Sequence, residues 1–254
     1  MTGTALITGA AGGIGRAVAA RFVADGYRVV GIDTTDPELS GVTYQRADVT
    51  DPADVEAAVR AAEAESGSVD ALVACVGITE GRPLHQTTTE EWNAVMTTNL
   101  SSVFLCARAV LPGMLAAGRG SVITVGSVLH RTAAPGLPAY AASKGAIAAL
   151  TRQLSVDYGH HGLHFVTVSP GWVRTPATES RLDGDQDLER LRESNPLRAL
   201  CTPEQIASTV AFAASADGAM LTGTELVLDA GASVVSPASL LRDAHRIRMG
   251  LPPL

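Results

Sequence analysis

Lysine is nearly missing from this chain. Of its 19 basic residues in 254 positions, all but Lys144 are arginine. Aromatics are scarce at 4%, and charged residues make up only 18%. The three cysteines, Cys75, Cys106 and Cys201, stand far apart. That excludes a disulfide scaffold and any zinc or redox spacing, and reads as free thiols in a reducing compartment. Basic charge is in deficit, with a net charge of −7, which disfavours a nucleic-acid partner. No uninterrupted apolar run approaches the roughly 18 residues of a membrane span. The first four residues carry no basic region ahead of a hydrophobic stretch, so no secretory signal is expected. The expectation is a cytoplasmic protein with no membrane partner. A hydrophobic fraction of 46% excludes disorder. The length suits one α/β domain with a core of its own.

Short β-branched runs alternate with longer helical patterns. Strands are predicted at 4–8, 28–32, 42–47, 71–76, 121–125, 163–168 and 225–228, and helices at 14–24, 138–158 and 203–214. Asp51 and Pro52 open a further helix as cap and first residue, with Val55, Val59 and Ala62 on its apolar stripe. Thr88 and Glu91 form a capping box that opens a long helix to about residue 111. Unbroken apolar strands between helices indicate a parallel sheet covered on both faces. Two segments stand outside the alternation. Residues 176–200 are polar and read as a mobile flap. Residues 232–254 form a tail in which Pro237 starts a short helix that Pro252 and Pro253 close. The tail is expected to pack on a neighbouring subunit, leaving 1–231 as the functional domain.

A glycine-rich turn, Thr8-Gly9-Ala10-Ala11-Gly12-Gly13-Ile14-Gly15, follows the first strand and opens the first helix. Glycines let the backbone approach a pyrophosphate, and the helix start offers free N–H groups and a positive dipole. Asp33 ends the second strand 18 positions past Gly15. A carboxylate there accepts hydrogen bonds from the adenosine ribose and repels a 2′-phosphate. Gly12 and Thr34 supply no positive charge for such a phosphate, so NAD is favoured over NADP. Asp48 and Val49, after the third strand, are placed either near the adenine or at a helix cap.

Tyr140 and Lys144 are four apart on one helix and share a face. A free phenol is a poor base at neutral pH, and an ammonium beside it stabilises the phenolate. Lysine suits this better than the planar fork of arginine, which gives the lone lysine a physical reason. Ser127 ends the fifth strand, at the sheet edge where open α/β folds hold ligands. Asn99 lies on the apolar stripe of Trp92, Val95 and Val103, as a structural hydrogen bond or part of a water relay.

These features, with Pro170-Gly171-Trp172-Val173-Arg174-Thr175, resemble the short-chain dehydrogenase/reductase family over residues 4–231. The resemblance implies a single-domain Rossmann fold with a seven-stranded parallel sheet and hydride transfer between a nicotinamide and an alcohol or carbonyl. It implies Tyr140 as acid/base and Lys144 holding the nicotinamide ribose. Ser127 would orient the substrate oxygen, and Asn99 would hold a relay water. Thr175, with Pro170 and Val173, would contact the carboxamide, and Gly77 would keep its cofactor-side place. A homotetramer is likewise implied. The chain departs from the family pattern at Ala74-Cys75-Val76, where Asn-Asn-Ala is usual. It departs again at His164-Phe165-Val166 and Asp229-Ala230-Gly231.

Ile78, Thr79, Val128, Leu129, Leu137 and Trp172 are expected to line the substrate pocket, pointing to a small or medium cyclic or secondary alcohol. His130 and Arg131 read either as a solvated pair or as the clamp of a substrate carboxylate. The histidines at 160, 161 and 164 lack an acidic or cysteine partner, so no metal is expected. Two alternatives stay open: an NADPH-dependent biosynthetic ketoreductase, and a dinucleotide sensor without turnover.

Overall fold

Seven parallel strands pair in the order β3-β2-β1-β4-β5-β6-β7. In chain order the elements are β1 (Thr4–Thr8), α1 (Gly13–Ala24), β2 (Arg28–Asp33), β3 (Val42–Arg46), α2 (Pro52–Glu63) and β4 (Ala71–Ala74). Then come α3 (Thr89–Met96), α4 (Ser102–Ala117), β5 (Gly120–Val125), α5 (Leu129–Thr132), α6 (Pro138–Tyr158) and β6 (Leu163–Pro170). The chain continues with α7 (Pro176–Glu179), α8 (Asp185–Glu193), α9 (Pro203–Ala214), β7 (Thr224–Leu228) and α10 (Arg242–Arg248). This computed structural model describes residues 3–36, 38–64, 66–236 and 242–252. The helix expected to open at Pro237 begins outside the described residues.

Alternation along the strands divides the core. Ala5 and Ile7 of β1 join Val18 and Phe22 of α1 and Ile206 and Val210 of α9 on one face. Leu6 joins Val55 and Val59 of α2 and Val110 and Met114 of α4 on the other. Every residue of β1, β4 and β5 is buried, as a strand covered on both faces requires. Strand order reverses beside β1, between β2 and β4, and that switch point sets the ligand crevice at the carboxyl ends of these strands.

Three expectations need correction. The single helix expected over 88–111 is interrupted by a turn of π-helix at Thr97–Ser101 and then runs on to Ala117. Pro112 lies inside it rather than ending it: eight side chains of α4 are buried, and that packing outweighs one lost backbone hydrogen bond. As a result the run 89–117 is long and apolar enough to cross a membrane, although 44% of its most apolar window is buried within the fold. The fourth strand stops at Ala74, two residues early. The polar flap contains α7 and α8. The caps match the reading: Asp51 accepts from Ala53 N–H at 2.8 Å, and Thr88 and Glu91 form their reciprocal box.

Candidate active site

The glycine turn lies between β1 and α1. A Cβ on Gly15 would sit 2.0 Å from the Gly9 carbonyl oxygen, so the turn closes only without a side chain. Gly12 N–H donates to that carbonyl at 3.0 Å. No side chain caps α1 and no acid stands in its first turn, so the helix start keeps its donors for a ligand. Asp33 turns toward this loop: its Oδ2 accepts from Ala11 N–H at 3.0 Å and its Oδ1 from Thr35 N–H at 3.2 Å. Bare backbone, an uncapped helix start and a facing carboxylate together fit a dinucleotide. Asp48 is engaged locally. Its Oδ1 accepts from the backbone and hydroxyl of Thr50, and these bonds hold its carboxyl below the usual range. Val49 puts its side chain into the core. Where the family pattern would place asparagines, Thr8 Oγ1 accepts from Cys75 N–H at 3.1 Å and bridges β1 to the end of β4.

Asn99 sits in the π-turn, wholly buried. Its Oδ1 accepts from Ile78 N–H at 2.8 Å, and its Nδ2 donates to Ile78 O at 3.0 Å and to Ser143 Oγ at 3.1 Å. Both amide hydrogens are spent, so this side chain acts as a brace between Ile78 and α6. Ser143 Oγ in turn donates to Tyr140 O at 2.8 Å, tying the brace to the first turn of α6. Lys144 is buried on the same helix. Its Nζ donates to Val125 O at 2.8 Å and lies 5.7 Å from the centroid of the Tyr140 ring. Burial pulls the ammonium down to about 8, with Cys75 acting weakly against that shift. Burial pushes the Cys75 thiol up to about 12, against the pull of Lys144. Gly77 packs against both Asn99 and Lys144.

A family model described as enoyl-(acyl carrier protein) reductase matches residues 9–233. The chain belongs to the short-chain dehydrogenase/reductase family. It is 38% identical over 244 residues to 2-(R)-hydroxypropyl-CoM dehydrogenase of Xanthobacter autotrophicus, covering 90% of this chain and 98% of that one. It is 36% identical over 239 residues to the 3-oxoacyl-[acyl-carrier-protein] reductase FabG of Escherichia coli, covering 91% and 97%. Ligand-free aldohexose dehydrogenase of Thermoplasma acidophilum superposes with a TM-score of 0.88 at 30% identity, over 92% of this chain and 95% of that one. The protein is therefore an oxidoreductase of a family that uses a nicotinamide dinucleotide on alcohol and keto groups of small molecules.

Within this family member the substrate-side residues are held by turns. Ser127 is 6% exposed and its Oγ accepts from Leu129 N–H at 3.2 Å. Val128 N–H donates to Pro170 O at 3.1 Å, joining the serine turn to the end of β6. Thr175 caps α7 and lies so close to Gly13 that a Cβ there would come within 2.7 Å of its methyl group. Val173 is buried and bridges to Cys201. The Trp172 indole Nε1 is buried without a partner. Leu129 is half-buried. His130 and Arg131, read either as a solvated pair or as a carboxylate clamp, both bind a partner that neither reading named, Glu225 of β7, His130 Nε2 at 2.6 Å. That engagement ties both side chains to the sheet. Sequence reasoning missed Glu225 and Ser143. An acid inside the otherwise apolar strand Thr224–Leu228 was the available signal for Glu225; Ser143 lay between two predicted catalytic residues without any pattern to single it out.

Proposed function

We propose that the protein is an NAD-dependent dehydrogenase that oxidises a secondary alcohol of small or medium size, with Tyr140 as the base. The observation that carries the chemistry is the buried Lys144 ammonium beside the Tyr140 ring. A fixed positive charge beside the ring stabilises the negative charge that develops on the phenol oxygen during proton transfer. Tyr140 as phenolate takes the proton of the substrate hydroxyl, and Ser127 donates a hydrogen bond that steadies the same oxygen. Bound dinucleotide supplies the hydride acceptor. Asn99 and Ser143 keep the first turn of α6 in register so that the phenol meets the substrate at reacting distance. Trp172 Nε1 offers one donor to a polar group elsewhere on the substrate.

The preference for NAD rests on Asp33, whose carboxylate is aimed at the glycine turn. A second reading, NADPH, draws on Arg46, which is in register with Asp33 on the neighbouring strand and would meet a 2′-phosphate. Absorbance at 340 nm with either dinucleotide and a panel of secondary alcohols separates the readings. NAD should be reduced at least about tenfold more efficiently than NADP, and Asp33→Ala should narrow that ratio, since each such contact is worth on the order of 1–3 kcal/mol. Equal use of both dinucleotides by the wild type, or an unchanged ratio in the variant, defeats the assignment of Asp33. Binding without reduction across the whole panel would favour a sensor.

A further inference from the structure

Helix α5 follows Ser127 almost directly, and none of its four residues is buried. Its one large apolar side chain, Leu129, is only half-buried. It is closed by Ala133 at φ 60, a left-handed conformation that a residue with a Cβ adopts only when its surroundings impose it. A polar cluster supplies the anchor. Glu225 stands in register with Thr167 of β6, whose hydroxyl meets Thr151 of α6, so the acid emerges on the α6 face of the sheet. From there its two oxygens take His130 Nε2 and the Arg131 guanidinium, two successive residues of α5. The Glu225 side chain is 7% exposed and that of His130 12%, so water screens this pair little. His130 also packs over Gly145, one residue past Lys144. The serine turn is thus caught between the catalytic helix and β7.

We propose that Glu225 is a positioning residue for Ser127: by binding both His130 and Arg131 it fixes the turn that presents the serine hydroxyl to the substrate oxygen. The proposal rests on the role given to Ser127 above. Removing the acid would leave the His130 imidazole and the Arg131 guanidinium without their shared partner and α5 without a tether. The serine would remain present while sampling positions from which it cannot meet the substrate. Since the glycine cradle and Asp33 lie on other strands, dinucleotide affinity should not follow.

Two measurements on the full chain test this. Hydrogen exchange of the 126–133 segment reads the tether without any ligand. In Glu225→Ala the amides of Arg131 and Thr132, which donate to Val128 O, should exchange about tenfold faster while those of β4 and α6 keep their rates. Unchanged exchange overturns the proposal. Should that variant fail to fold, the His130→Ala/Arg131→Ala double variant removes the tether from its more exposed end. The second measurement is a double-mutant cycle with Ser127→Ala, using NAD with cyclohexanol and 1-phenylethanol. Glu225→Ala should lower kcat/KM about tenfold when Ser127 is present and hardly at all when it is absent, with the NAD Kd held within about twofold. Equal losses in both backgrounds overturn the link to Ser127. Full activity of Ser127→Ala instead sinks the functional reading of the serine, a distinct result. If neither alcohol is oxidised, the exchange measurement alone decides the tether.

Discussion

The glycine turn and the core strands beside it are held by backbone and buried side chains, whereas the short helices beyond the carboxyl ends of the strands, α5, α7 and α8, rest on turns and side-chain pairs. On the first side, β1 and β4 are buried throughout, and Lys144 and Asn99 have little or no exposure. On the second, α5, α7 and α8 contain no buried residue. The ion pairs of α8 join neighbours on the same turn, Arg190 to Asp187 and Arg192 to Glu189. Chemistry common to many substrates is built where the fold cannot change without loss. If the substrate is met by α5, α7 and α8, as the proposed function holds, its choice is built where single changes cost little. That division explains why the reaction type can be read from this chain while the substrate cannot.

A pair of glycines offers the sharpest way to break this contrast. Gly15→Ala would drive a methyl group into the Gly9 carbonyl, 2.0 Å away. We expect loss of dinucleotide binding and a stability cost on the order of 3 kcal/mol, read by fluorescence titration and denaturant unfolding. Gly184→Ala in the segment between α7 and α8 meets nothing within 4 Å, although its φ of +77 strains any side chain. Its cost should be about 1–3 kcal/mol from backbone strain alone, with dinucleotide affinity kept. Similar effects of the two changes on dinucleotide affinity would erase the distinction between the two regions.

Next in size is Tyr140→Phe. It keeps the ring over which Lys144 lies and removes only the proton acceptor. Turnover should fall about a hundredfold or more, with dinucleotide Kd nearly constant. Near-normal turnover would move the acid/base role elsewhere in the cleft.

Much of this was legible in the sequence, and the limits are physical. Glycine spacing, Asp33, Tyr140 and Lys144 could be read because each residue type is dictated by a local requirement: close backbone approach, ribose recognition, or a charge beside a phenol. The π-turn around Asn99 could not. It comes with an asparagine side chain that reaches back to Ile78 and across to Ser143, contacts 21 and 44 positions away in the chain. The helix expected to stop near residue 111 runs on through Pro112 to Ala117, because the buried side chains of α4 outweigh one lost backbone hydrogen bond. His130 and Arg131 looked free because their partner, Glu225, is 95 and 94 positions away.

Lys144 gives a smaller effect with a definite sign. Burial lowers its pKa from 10.5 to about 8, so above pH 8 the folded chain holds fewer protons at this site than the unfolded chain does. Stability attributable to this residue should therefore rise between about pH 8 and 10.5, and below pH 8 the fold bears the full cost of the buried ammonium. Ionisation of the buried thiols works the other way at high pH, because Cys75 and Cys106 are held up to about 12 and ionise more readily once unfolded. The difference between wild type and Lys144→Met in urea unfolding, measured at pH 7.5 and 10, isolates the lysine. A flat difference across those two conditions would mean that the ammonium is better solvated than its 4% exposure indicates.

The smallest expected effect lies in α8. Arg190 meets Asp187 at 3.3 Å with its own side chain 74% exposed. Water and salt screen such a pair, and holding a long side chain in place costs rotamer entropy, so Arg190→Ala should change stability by less than about 0.5 kcal/mol. Dinucleotide binding should not change at all. Any shift in this variant should appear as altered preference within an alcohol panel, because α8 belongs to the proposed substrate side and has no buried residue to transmit a change to Tyr140 or Lys144. A clear fall in melting temperature would instead make α8 part of the load-carrying fold, and that side would then be less free to vary than its exposure implies.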